Sequence, residues 1–206
     1  TKNIHSSTLN GQEIVFEATG ENPTNSLFYA VDMNGKQRLL TTNEGTHSVW
    51  VSSNGIWIFD EYSNHDTPSK SLLLDGTGKE VQTLMTSENK LADYKIGKTE
   101  ISSLTANDGT KLYTRLIKPS DFDPSKKYPV LVYVYGGPHA QMITNSWLDG
   151  SSLWMHWMAE QGYLIYTLDN RGSGERGFAF ESGIHRRLGD LEMEDQLTGV
   201  EYLKSL

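Results

Sequence analysis

Four groups of side chains in this sequence are of types that do chemistry. Tyr135 ends an apolar run, Val130-Leu131-Val132-Tyr133-Val134-Tyr135, and is followed at once by Gly136-Gly137-Pro138-His139. A second run, Tyr163 to Leu168, leads through Asp169 into Asn170-Arg171-Gly172-Ser173-Gly174. His185-Arg186-Arg187 is a basic cluster just ahead of an acidic one that includes Glu192, Glu194 and Asp195. The remaining histidines, His5, His47, His65 and His156, are scattered.

An arginine in a glycine-rich turn can hold a substrate carboxylate, but it more commonly pins the turn by pairing with a nearby acid, and Arg171 is expected to do the latter. His185-Arg186-Arg187 could bind anions; ion pairing with the acidic start of the last helix is the expected use. Gly172-Ser173-Gly174 lacks the G-x-x-x-x-G-K pattern that cradles phosphates, and no histidine pair has the H-E-x-x-H spacing of a zinc site, so no cofactor and no metal is expected. His139 follows its glycines where a lipase-type loop would have the histidine first, and is expected to be a loop residue. A serine nucleophile on a strand-to-helix elbow needs G-x-S-x-G. Neither Gly150-Ser151-Ser152 nor Gly172-Ser173-Gly174 fits it. On spacing alone Tyr135, two residues after Tyr133, is a core aromatic on one face of a strand.

The elements that must position these groups follow from hydrophobic pattern. Val130–Tyr135 and Tyr163–Leu168 are nearly continuous apolar runs, which suits strands of a parallel sheet covered on both faces. Between them Leu153–Ala159 reads as a helix, capped by Ser151 or Ser152 and stopped at Gly162. The result is a βαβ unit whose two glycine-rich turns lie at the carboxyl ends of the strands, where open α/β sheets bind ligands. Ahead of it, Glu100–Leu104 and Lys111–Ile117 flank Asn107-Asp108-Gly109 as a hairpin, and Pro119–Tyr128 is a polar loop. Behind it, 177–188 reads as irregular. A final helix follows, with Asp190 as its cap, acids at its positive end, and Met193, Leu197 and Val200 along one face.

Residues up to about 95 read as all-β. Ile14–Ala18, Leu27–Val31 and Ile56–Asp60 are strand-length runs between turn residues. Val31-Asp32-Met33-Asn34-Gly35-Lys36 is echoed 43 positions later by Leu74-Asp75-Gly76-Thr77-Gly78-Lys79, each followed by a return strand (Gln37–Leu40 and Glu80–Leu84). A period in the forties suits the four-stranded blades of a propeller, with room here for about two of the four or more that close a ring. A small β-sandwich with a chance echo is the plainer alternative. The boundary falls in the mixed polar stretch Leu91–Thr99, giving a first domain of residues 1–95 and a second of 96–206.

Composition narrows the function classes. The net charge of −8 is spread evenly, which argues against nucleic acid as a partner. There is no cysteine, so neither a disulfide framework nor a thiolate metal site is available. No apolar run approaches the roughly 20 residues of a membrane-spanning helix, and no signal peptide is visible at Thr1.

The words Tyr135-Gly136-Gly137-Pro138, Asp169-Asn170-Arg171-Gly172-Ser173-Gly174, and His185-Arg186-Arg187-Leu188-Gly189 running on to Glu194-Asp195-Gln196, in this order and spacing, resemble the prolyl oligopeptidase family of serine peptidases, and within it the dipeptidyl peptidase IV branch and its bacterial members. The resemblance covers nearly the whole chain. It implies that residues 1–95 are the C-terminal blades of a β-propeller, and that 96–206 are the N-terminal part of an α/β-hydrolase domain, ending before the nucleophile elbow. It implies an exopeptidase acting on peptides with Pro or Ala second from the amino terminus. The family's Ser, Asp and His, and the glutamates that hold the substrate amine, would lie outside these residues, so the 206 residues are expected to be inactive alone and poorly stable alone. One family site residue falls within them. Tyr135 matches the tyrosine whose hydroxyl completes the oxyanion hole. The resemblance also suggests a periplasmic or cell-surface location and allows a homodimeric parent. Within the same fold, a non-catalytic relative that binds peptides or a partner is the alternative from another class, and an endopeptidase or acylaminoacyl peptidase is a nearer one.

Overall fold

The structure, a computed structural model, describes residues 3–9 and 11–206. The chain folds as two compact units, Thr1–Asn89 with Thr144–Asp149, and Lys90–Ile143 with Gly150–Leu206.

The first unit is two four-stranded antiparallel meanders. β1 (Asn3–Leu9), β2 (Glu13–Ala18), β3 (Leu27–Asp32) and β4 (Gln37–Leu39) pair in chain order; so do β5 (Thr46–Val51), β6 (Trp57–Asn64), β7 (Thr67–Asp75) and β8 (Glu80–Thr86). These are two propeller blades, and the sequence echo marks the same turn in each. Asp32 Oδ1 accepts the amides of Asn34 and Lys36 (both 2.9 Å), and Asp75 Oδ1 accepts those of Thr77 and Lys79 (2.8 and 3.1 Å). Gly35 and Gly78 take φ of +83° and +90°, which a side chain at Cβ would oppose. Hydrogen bonds within the turns hold both aspartate carboxyls below the usual carboxylate range, with the Lys36 amide leading at Asp32 and the Thr77 hydroxyl leading at Asp75.

The blades share a core of Val15, Phe28, Ala30, Leu40, Ile58, Tyr62, Leu72 and Leu74. Alternation along β6 selects it: Ile58, Asp60 and Tyr62 face inward while Trp57 and Glu61 face out. The inward Asp60 is offset by His47 of β5. The His47 ring stacks on Tyr62 with centroids 4.7 Å apart, its Nδ1 lies 2.9 and 3.0 Å from the two Asp60 oxygens, and its Nε2 lies 2.9 Å from Asn43 O. β5 has no long apolar run, so pattern reading passes over it.

The second unit holds one mixed sheet in the order β11-β12-β10-β9. β9 (Thr99–Thr105) and β10 (Lys111–Ile117) form the expected hairpin; β11 (Val130–Val132) and β12 (Leu164–Leu168) pair in parallel around α1 (Leu153–Glu160). α1 covers one face, packing Met155 and Ala159 on Ile117 and Ile165. The other face, with Leu112, Leu116, Leu164, Tyr166 and Leu168, receives Tyr202 and Leu203 of the last helix, here α3 (Asp190–Ser205). Every residue of β12 is buried, as its unbroken apolar run requires. Each large side chain so buried contributes about 1.5–3 kcal/mol.

Several local expectations need correction. β11 lies at the sheet edge, so Val130 and Tyr133–Tyr135 remain partly exposed, and its ladder ends one bond later, where the Tyr133 amide reaches Tyr166 O at 2.8 Å. The stretch 177–188 is not wholly irregular: α2 spans Phe178–Ser182. The N-cap of α3 is Gly189, whose amide donates to Glu192 Oε2 (3.0 Å), and Asp190 is already helical. The buried face of α3 is Glu192, Asp195 and Gly199, while Met193 and Leu197 stand exposed, because a buried arginine fixes Asp195 on the inside. Ser152 occupies the N-cap of α1 but its hydroxyl makes no capping bond.

Candidate functional site

The candidate site gathers at the carboxyl ends of β11 and β12. Tyr135 lies three residues past the end of β11 and is 61% exposed, so it is not a core aromatic. Its ring rests on its own loop: a Cβ at Gly137 would stand 2.9 Å from Tyr135 Cε1. Gly136 turns the chain at φ +73°. The loop then bonds to the second turn through the His139 amide, which donates to Gly172 O at 3.0 Å. Gly174 must be glycine for the same approach, since a Cβ there would meet His139 O at 2.7 Å.

The second turn is held by Arg171. The backbone amide of Arg171 and its Nη2 each lie 2.7 Å from a different oxygen of Asp195, and Nε bridges both at 3.1 Å. Nη1 reaches Asp108 Oδ2 at 2.7 Å and Nη2 reaches Glu194 Oε2 at 3.3 Å. Arg171 therefore pins the turn and has no nitrogen turned to a substrate. Bonding to Asp195 raises its titration further above the usual guanidinium value. Asp108, the middle of the hairpin turn in sequence, titrates below the usual aspartate value, lowered first by Thr110 and then by Arg171.

Asp169 is a buried charge beside this turn that sequence reading passed over. It is 5% exposed, and its two oxygens accept the amides of Met142 (2.9 Å) and Ile143 (3.1 Å). Burial pushes its titration up to about 6, although those two bonds, Arg115 and Arg176 all act the other way. The signal was present: a carboxylate directly after five buried strand residues must find donors or be raised. Arg115, 1% exposed, donates from Nη1 to Met142 O (2.8 Å) and from Nη2 to Thr167 Oγ1 (3.2 Å). Arg176 lies over the rings of Tyr113 and Phe180, with its carbon 5.0 and 4.5 Å from their centroids. Burial lowers its titration.

His139, at φ +64°, is a loop residue paired with Glu181 (3.1 Å). Beside it a cavity of about 680 Å³ has Pro138, Phe178, Ile184, Leu188, His185 and Arg186 in its lining. His185, Arg186 and Arg187 are exposed and, among the described residues, form no ion pair with the acids of α3, contrary to expectation. The acids that would have met them, Glu194 and Asp195, are taken by Arg171.

Ser151 Oγ lies 2.8 Å from His156 Nε2, and burial lowers the titration of His156. Among the described residues no carboxylate hydrogen-bonds the other ring nitrogen, so this pair lacks a triad's orienting acid. No group of three His, Asp or Glu among them is placed to hold a metal, and no helix among them is long and apolar enough to cross a membrane.

Comparison with known proteins gives matches at both ends of the chain. Residues 1–69 match the dipeptidyl peptidase IV (DPP IV) N-terminal region and residues 150–206 match the prolyl oligopeptidase family. Human dipeptidyl peptidase 8 is 32% identical over 204 residues, 93% of this chain and 22% of that protein. Trichophyton equinum dipeptidyl peptidase 4 is 32% identical over 199 residues, 92% of this chain and 26% of that one. The crystal structure of a candidate dipeptidyl aminopeptidase IV from Bacteroides ovatus superposes with a TM-score of 0.89 at 42% identity, covering 100% of this chain and 30% of that one. Porphyromonas gingivalis dipeptidyl peptidase 4 also gives 0.89, at 28% identity, over 98% and 29%. The chain thus spans about a quarter of the length of the relatives it matches.

Proposed function

We propose a function from one premise: the chain belongs to the prolyl oligopeptidase family. The protein that contains these residues is a serine exopeptidase that removes dipeptides from the amino terminus of peptides with Pro or Ala in second place. Tyr135 is its side-chain oxyanion donor. The 206 residues alone are inactive.

The observation that carries this reading is the placement of Tyr135. A core aromatic would be buried on the sheet; this one stands past the strand end, 61% exposed, with its ring braced on Gly137. A phenol O–H so placed can donate to the negative oxygen of a tetrahedral intermediate. In water-excluded sites such a donor is worth about 3–4 kcal/mol of barrier. The names of the relatives support the dipeptidyl peptidase part of the reading.

The test is Tyr135→Phe in the full-length protein, assayed on an alanyl-prolyl chromogenic substrate. Loss of one oxyanion donor predicts a fall in kcat of about 100- to 1000-fold with little change in KM. An unchanged kcat removes Tyr135 from the oxyanion hole. A full-length wild type that binds peptides without turning them over replaces the peptidase with a binding relative.

A further inference from the structure

The loop after Tyr135 is fastened at two places. At His139 the fastening is a backbone bond to Gly172 O. At Met142 and Ile143 it is the carboxylate of Asp169, one oxygen to each amide, beside the Arg115 Nη1 bond to Met142 O at 2.8 Å. Asp169 is itself fixed, since its own amide donates to Tyr113 O of β10 at 3.0 Å. The stretch between the strand end and these fastenings carries Tyr135, whose ring lies against the same backbone at Gly137. A shift in the loop therefore moves the phenol.

We propose that Asp169 is a positioning residue for the oxyanion donor: its ionised carboxylate, by accepting the Met142 and Ile143 amides together, sets the 136–143 loop and through it the hydroxyl of Tyr135. This rests on the reading of Tyr135 given above. A protonated carboxyl holds the two amides less firmly, because its hydroxyl oxygen is a weaker acceptor and its hydrogen competes for the space of an amide hydrogen. The charged groups around it are Arg115 from β10 and Arg176 from the segment after β12, both favouring the ionised form, and Arg115 also helps to lower the titration of His156 of α1. The Tyr135 loop itself contributes only amides. Burial outweighs those cations, so the charge sits where the fold disfavours it.

The test is a double-mutant cycle in the full-length enzyme on the alanyl-prolyl substrate. Asp169→Asn is expected to lower kcat about tenfold or more, with KM within about twofold, because the misplaced donor is needed only in the transition state. Combined with Tyr135→Phe, it should cost nothing further, since the donor it positions is already gone. Losses that add, or an unchanged kcat in Asp169→Asn, overturn the inference while Tyr135→Phe still stands by its own result. An unchanged kcat in Tyr135→Phe overturns the underlying reading and this one with it. A second measurement needs no variant. Amide hydrogen exchange of wild type, corrected for intrinsic rates, should show 136–143 losing protection relative to β12 as pH falls through about 6. Constant relative protection from about pH 7.5 to about pH 5 overturns the inference.

Discussion

Removing the carboxylate of Asp195 should be among the most damaging single changes in the second unit, and the structure supplies the magnitude. Asp195 is 0% exposed and accepts from Arg171 along two separate short paths, backbone amide to Oδ2 and Nη2 to Oδ1, both at 2.7 Å. In Asp195→Asn one oxygen remains, so one of these bonds is kept and the other donor faces an NH2. A lost charge-assisted bond is worth about 1.5–3 kcal/mol. The guanidinium also loses its buried countercharge, and removing one partner of such a pair costs about 3–5 kcal/mol in full. Water cannot replace the lost acceptor at a site with no solvent contact. Asp108 and Glu194 still face Arg171, but their side chains are 50% and 42% exposed, and water screens them. The expected loss for Asp195→Asn is about 2–4 kcal/mol, and for Asp195→Ala about 3–5 kcal/mol. Urea titration of the full-length protein, followed by a probe in the second unit, measures both. A shift under about 0.5 kcal/mol, the level of an ordinary surface change, would show that Arg171 does not depend on Asp195.

Gly172→Ala should destabilise by about 1–3 kcal/mol, because φ is +97° and a Cβ there would stand 2.4 Å from Ile184 Cδ1; a thermal midpoint matching wild type refutes this. Asp169 gives a pH-dependent difference of known sign. Its folded value of about 6 lies above the ordinary aspartate value of 3.8, so the folded state holds the proton more tightly, and its contribution is most favourable below about 4 and declines as pH rises through 6. Stability of wild type relative to Asp169→Asn should fall by about 3 kcal/mol between about pH 3.5 and about pH 7.5, and a difference that is flat with pH refutes the assignment.

The sheet was legible because its strands announce themselves locally. The five buried residues of β12 form one apolar run, and a fully covered strand needs nothing more. The paired turns at Asp32–Lys36 and Asp75–Lys79 were legible for a similar reason: an aspartate that collects the amides two and four residues on, with a glycine at positive φ, is a sequence-local device. The last helix was legible as a helix but not in its orientation. Its apolar stripe of Met193 and Leu197 points to solvent, and its inward face is set by Asp195, whose partner lies 24 positions earlier. Periodicity weighs hydrophobic area and cannot see that one buried guanidinium outweighs two side chains.

The amino-acid order by itself determined the paired blade turns, the hairpin and the βαβ unit, and it put Tyr135 beside a glycine turn, because hydrophobic period and turn chemistry act over a few residues. Only the tertiary structure decided which charges meet. Arg171 takes Asp195 and Glu194 from the last helix and Asp108 from the hairpin turn, and so leaves none of these acids to Arg186 and Arg187. Asp169 finds its donors at Met142 and Ile143, 27 and 26 positions away. Those pairings depend on how strand ends and loops converge in space, and a buried charge must be met wherever the fold places a partner.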